Sequence, residues 1–293
     1  MRLDDPEWLE RMYNNRARVP EHGEYFERWT AESARVRASS TDCRIDLRYG
    51  DGVNETLDVF PARGTNRGPA PVLVFIHGGY WRSLDKSQHS FVAPAFTGRG
   101  ACVVIPNYAL CPGTEAAPVG IADIALQMVK ALAWTWRHIA AHGGDPDRIT
   151  VAAHSAGGHL AAMLLACDWK KVAADLPANL VRNALSVSGL FDLEPLRRTP
   201  SFQVSLRLAP DDAPRLSPAF WPAPAGGRLY AVVGANESEE FLRQNALIAQ
   251  TWGEQVVPVC EEAPGRDHFS IVDALADPGH RLHGLAMELL ARP

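Results

Sequence analysis

No apolar run in the 293-residue chain approaches the ~18 residues that a membrane-spanning helix requires. The opening stretch MRLDDPEWLERMYNN has no apolar h-region, so no secretory signal is expected there. Charge of one sign is never concentrated: charged residues make up 22% of the chain, the formal net charge is −5, and no long acidic or basic run occurs. That excludes the electrostatic footprint of a nucleic-acid or anionic-membrane binder. Cysteine is sparse too. Cys43, Cys102, Cys111, Cys167 and Cys260 are odd in number, widely spaced and without a C-x-x-C pair. Neither a disulfide framework nor a zinc site is expected from them. Cys102 and Cys167 sit in apolar stretches as small core residues, and a reducing cytoplasm is the expected compartment.

Hydrophobic residues, by contrast, make up 46% of the chain, enough for a large core. Two short strands are predicted at 43–49 and 55–60, around the turn pair Asp51-Gly52, followed by a Pro/Gly/Asn loop from Phe60 to Ala70. Continuous apolar runs bounded by breakers predict buried strands at 71–77, 101–106, 148–153, 183–188, 228–234 and 255–261. Between them the pattern predicts helices at 88–98, 121–142, 156–167, 239–252 and 281–291. Strands alternating with helices give an α/β fold: a mostly parallel sheet of about eight strands with helices on both faces. All 293 residues read as one domain. Residues 1–40, with a helix expected over 24–38 and aromatics at Trp8, Tyr13, Tyr25, Phe26 and Trp29, form an arm that either packs across the domain or serves as a lid. The Pro-rich interval 191–227 reads as a cap or pocket wall with a short helix near 202–208.

One strand-to-helix junction carries chemistry. The segment 150–159, TVAAHSAGGH, approximates the nucleophile elbow G-x-S-x-G, with Ala153 at the first small position. Small flanking residues permit the tight turn that holds the Ser155 hydroxyl clear of the backbone, at a helix N-terminus that favours developing negative charge. The alternative is a serine serving only as N-cap. After the first buried strand comes HGGYW at 77–81. Glycines there let backbone N–H groups approach a tetrahedral oxyanion, which makes Gly78, Gly79 and Tyr80, with Ala156, the candidate oxyanion hole. In this fold the triad runs Ser, acid, His, so His77, His154 and His159 are set aside and His77 is assigned to bracing the loop. The candidate base is His268, on the late loop 263–270; His280 and His283 sit at or inside the last helix. For the acid, Glu237 after the 228–234 strand is the leading candidate and Asp192 the second, while Asp267 adjoins His268 and should point away from it.

These segments together resemble the kynurenine formamidase (arylformamidase) group of α/β hydrolases. The resemblance runs through YNNRARVP at 13–20, YGDGVNETLDVF at 49–60, HGGYW at 77–81, AHSAGGH at 153–159, SGLFDLEPL at 188–196, VGANESEEFLRQ at 233–244 and DHFSI at 267–271. It implies the α/β-hydrolase fold and a Ser–acid–His triad at Ser155, Glu237 and His268, with glutamate where that group usually has aspartate. It also implies cleavage of N-formyl-L-kynurenine to kynurenine and formate, with Tyr80, Trp81 and the N-terminal aromatics as pocket walls. A promiscuous carboxylesterase and a non-catalytic ligand-binding homologue are the competing readings. No cofactor or metal is called for. The expected partner is a small-molecule aryl formamide or ester, not nucleic acid or membrane, and a homodimer is the candidate assembly.

Overall fold

Along β3 (Ala70–Ile76), Val72, Val74 and Ile76 enter one apolar cluster, while Leu73 and Phe75 enter another. A strand apolar on both faces must be covered on both, and the rest of the fold follows from that. The structure, a computed structural model, describes residues 3–64 and 68–292, so positions 65–67 of the loop expected after Phe60 lie outside the described residues. The other strands are β1 (Arg44–Arg48), β2 (Thr56–Phe60), β4 (Cys102–Pro106), β5 (Gly144–His154), β6 (Asn183–Val187), β7 (Arg228–Gly234) and β8 (Val259–Ala263). They form an eight-stranded sheet in the order β1-β2-β4-β3-β5-β6-β7-β8. β1 pairs antiparallel with β2 and β2 antiparallel with β4, and the remaining ladders are parallel.

Helices Ile121–His138, Ala156–Leu165 and Glu239–Trp252 cover one face through Met128, Leu132, Leu160 and Ile248. Helices His22–Ser39, Ser270–Ala276 and Arg281–Ala291 cover the other through Trp29, Ile271 and Leu285. The chain runs outward from β3 to β4, then crosses back to β5 and continues the other way. The carboxyl ends of β3 and β5 therefore flank the switch point, where connecting segments diverge and leave a crevice. No helix among the described residues is long and apolar enough to cross a membrane.

Several boundaries differ from the sequence pattern. The final strand begins at Val259 rather than residue 255, because Pro258 has no N–H for the ladder. The helix expected over 88–98 is two 3₁₀ turns followed by Ala93–Thr97. The long helix ends at His138 and tightens into a 3₁₀ turn closed by Gly143, whose φ is 79°. Helix Ser270–Ala276, which directly follows the candidate base, is absent from the sequence reading. The 191–227 interval holds short helices at Glu194–Arg197, Pro200–Leu206 and Asp212–Arg215.

Candidate active site

β5 ends at His154, and Ser155 follows with φ 56° and ψ −119°. A non-glycine residue held in that region costs on the order of 1–3 kcal/mol, so the surroundings must enforce it. The Ser155 N–H donates to the Val187 carbonyl at 2.8 Å, which ties the turn to the end of β6. Behind the serine, a Cβ at Gly157 would stand 2.3 Å from the Ile76 carbonyl oxygen, so only glycine lets the helix approach β3 this closely. Ala153 lies inside regular β5, paired with Ile76 and Ser186, with its methyl group buried. The tight turn starts after it, and this is why alanine serves there.

Ser155, His268 and Glu237 come from the ends of three different strands and meet in one buried line. His268 Nδ1 stands 2.6 Å from Glu237 Oε2, and its Nε2 stands 3.1 Å from Ser155 Oγ. A carboxylate can only accept, so Nδ1 carries the proton and Nε2 accepts from the Ser155 hydroxyl. The other carboxylate oxygen, Oε1, accepts the Gly234 N–H at 2.8 Å and the Ser188 hydroxyl. Ser188, which directly follows β6 and takes a positive φ of 54°, was not singled out in the sequence. Asp192 stands elsewhere. Its Oδ2 is 3.2 Å from Arg243, its Oδ1 accepts the Glu194 N–H, and burial raises its pKa. Asp267 accepts the N–H groups of Phe269 and Ser270 and so caps the helix after the base.

The loop 77–81 faces the serine. Gly79, Tyr80 and Trp81 take successive positive φ values of 105°, 51° and 55°. A Cβ at Gly79 would lie 2.1 Å from the Ser83 carbonyl oxygen, and one at Gly78 would lie 2.9 Å from Ser155 Cβ. Among the described residues, no protein acceptor takes the N–H of Gly79, Tyr80 or Ala156, which leaves these donors for a ligand oxygen. His77 braces the loop as expected. Its Nδ1 lies 2.8 Å from the Gly78 carbonyl oxygen and its Nε2 3.2 Å from Asn107 Oδ1, while Tyr108 stacks on the ring at 4.3 Å. Burial holds its pKa below the ordinary range. His154 donates from Nε2 to the His268 carbonyl at 2.9 Å, and His159 from Nε2 to the Leu216 carbonyl at 2.7 Å.

A cavity of about 400 Å³ opens above Ser155 and His268. Tyr80, Phe202 and Phe269 wall it, and the N-terminal arm contributes Tyr13, Phe26 and Trp29. The arm is thus both packed and pocket-forming. Trp81 corrects the expectation: it is fully buried in the core, with its ring edge-on to His159 at 5.0 Å, and does not line the cavity. Two consecutive left-handed residues turn Tyr80 and Trp81 to different sides of the loop. Sequence reasoning missed Arg82 as a lining residue, while Phe202 lines the cavity from the interval read as a cap or pocket wall. No group of three or more His, Cys, Asp or Glu side chains that could hold a metal occurs among the described residues.

Comparison with known proteins agrees with this architecture. Residues 20–209 match the model of the carboxylesterase family. Kynurenine formamidase of Salmo salar is 29% identical over 265 residues, covering 85% of this chain and 82% of that protein. The Danio rerio enzyme of the same name is also 29% identical, covering 89% and 87%. A crystal structure from Silicibacter sp. tm1040, provisionally named a thioesterase, superposes with a TM-score of 0.82 at 32% identity, covering 95% of this chain and 98% of that one. With its eight-stranded sheet, the chain is an α/β hydrolase and belongs to the carboxylesterase family.

Proposed function

We propose that the protein is an arylformamidase that hydrolyses N-formyl-L-kynurenine to L-kynurenine and formate through a formyl-enzyme on Ser155. The observation that carries the reading is His268 held between Ser155 and Glu237 at the floor of an aromatic cavity. His268 Nε2 takes the Ser155 proton as Oγ attacks the formyl carbon, and the N–H groups of Gly79 or Tyr80 and of Ala156 receive the oxyanion, with Gly78 giving the loop its close approach. The imidazolium, stabilised by Glu237, then returns its proton to the aniline nitrogen as the C–N bond breaks. Water, deprotonated by His268, attacks the formyl ester and releases formate, regenerating Ser155. The formyl group is small and the aryl leaving group fills the space between Tyr80, Phe202 and Phe269. All five cysteines are unpaired, which supports a reducing compartment such as the cytoplasm.

The test measures kcat/KM on N-formyl-L-kynurenine and on p-nitrophenyl acetate, beside labelling of intact protein by a fluorophosphonate. Labelling lost in Ser155→Ala, with turnover of the formamide, is the expected result. Cleavage of the ester alone refutes the formamidase reading and leaves the carboxylesterase one, which the family match favours. Absence of labelling in folded protein refutes both.

A further inference from the structure

The cavity wall that follows the oxyanion loop carries a cation with no carboxylate partner. Arg82 is half-buried and lines the same cavity as Ser155 and His268. Its guanidinium lies over the Phe202 ring at 4.5 Å from the centroid, and its Nη1 donates to the Ser201 carbonyl at 2.9 Å and the Ser205 hydroxyl at 3.1 Å. Both acceptors are neutral. Among the described residues no Asp or Glu oxygen comes within ion-pair distance of Arg82 or of Arg16, a second cation on the cavity wall that lies over Phe26. The one carboxylate in the lining, Glu10, accepts the Ser201 N–H at 3.3 Å instead. Arg243, by contrast, is paired with acids: it holds Glu240 and Asp192. A guanidinium taken partly out of water, clamped by two neutral acceptors and an aromatic face, is oriented without being neutralised. It retains free donors in a fixed fork that matches a carboxylate.

We propose that Arg82, assisted by Arg16, is the anion subsite of this cavity: it binds a carboxylate on the leaving group and makes the enzyme select carboxylate-bearing aryl substrates over neutral ones. The proposal rests on the hydrolase reading of Ser155 and deepens the formamidase reading. Arg82 lies two residues after Tyr80, the last loop residue that offers an oxyanion donor. A substrate anchored at the guanidinium is therefore registered against the hole by one short stretch of backbone. Arg82 is a specificity residue and takes no part in proton transfer.

The experiment compares substrates that differ only by the carboxylate, in two series. The ester series is O-acetyl-L-tyrosine against O-acetyltyramine, and the formamide series is N-formyl-L-kynurenine against N-formylkynuramine. In the wild-type protein the carboxylate-bearing member is expected to have a kcat/KM higher by roughly tenfold or more, expressed mainly in KM. Arg82→Gln should bring the ratio within each pair close to unity, and Arg82→Lys should keep part of it. Ser205→Ala, which removes a clamp and no charge, should keep a ratio well above unity. A wild-type ratio near unity, or a ratio that survives Arg82→Gln, overturns the proposal. The two series separate its failure from that of the formamidase reading. A selective ester series with inert formamides removes the formamidase and keeps the subsite, and formamide turnover without selectivity does the reverse.

Discussion

At the scale of single residues, the acid behind His268 is where this chain departs most from its resemblance, and its geometry explains how the longer side chain is used. Glu237 spans two anchors at once: Oε1 is fixed by the Gly234 N–H and Ser188, and Oε2 reaches His268 at 2.6 Å. Glu237→Asp shortens that span by one methylene, so the carboxylate cannot hold both ends. A displacement of about 1 Å can cost roughly 10²-fold. We expect a loss of about that size in kcat, larger in Glu237→Gln, which cannot stabilise the imidazolium. Ser155→Ala and His268→Ala should each lose roughly 10⁴-fold or more. Steady-state kinetics on p-nitrophenyl acetate check the series, and near-normal turnover in Glu237→Gln would sink this assignment. Asp192→Asn leaves the His268 contact untouched and should act on stability through Arg243. The serine and the base were legible in the sequence because elbow and loop chemistry are local. The acid was legible as a ranking, Glu237 ahead of Asp192, because the final choice depends on where the turn after β6 sends Asp192. Trp81 was misread for a related reason: adjacent residues in a left-handed loop do not share a side.

Among the elements, the start of the N-terminal arm is attached to the hydrolase core by specific side-chain bonds at Tyr13. The Tyr13 hydroxyl donates to Glu240 Oε2 at 2.7 Å and accepts from Gln244 Nε2 at 3.0 Å. Gln244 in turn accepts the N–H groups of Phe191 and Asp192, so one helix side chain joins the arm to the start of the 191–227 interval. The Tyr13 carbonyl accepts the Tyr80 hydroxyl, which couples the arm to the oxyanion loop. Tyr13→Phe removes the hydroxyl and leaves its partners to Arg243 and Asp192. We expect a stability loss of about 1–2 kcal/mol in denaturant titration. Amide exchange should become faster over residues 6–18, and KM should rise more than kcat falls. Unchanged exchange there would show that the Tyr13 hydroxyl does not hold the arm in place. The sequence made the central strands and long helices legible, since Val72–Ile76 and Ile121–His138 carry their own periodicity. It hid the arm's role, because Tyr13 and Glu240 are 227 residues apart. It also hid helix Ser270–Ala276, which is seven residues long and capped by Asp267 from a loop assigned to catalysis.

For the molecule as a whole, the most general consequence is acid sensitivity set by histidines buried in neutral form. Burial pushes His159 down to about 4, and burial together with the neighbouring His77 pushes His89 down to about 3. His77 and His154 are lowered in the same direction, chiefly by burial. In the unfolded chain each titrates near its ordinary value of 6.5. Above that pH neither state is protonated and the full stability is present. As pH falls below it the unfolded chain binds protons that the native state refuses, so stability declines until each folded pKa is passed. The slope approaches about 1.4 kcal/mol per pH unit for each histidine. Burial raises the carboxyls of Asp58 and Asp273, and these act in the opposite sense, gaining stability as pH drops. His159→Gln separates the terms, because glutamine can still donate to the Leu216 carbonyl but cannot titrate. Lost packing against Trp81 shifts the variant's stability by a constant at every pH, whereas the lost titration makes the difference from wild type shrink steadily from pH 6.5 towards 4. Urea unfolding at half-unit intervals measures that difference directly, and a gap that stays constant across the window would show that His159 contributes nothing to the acid sensitivity.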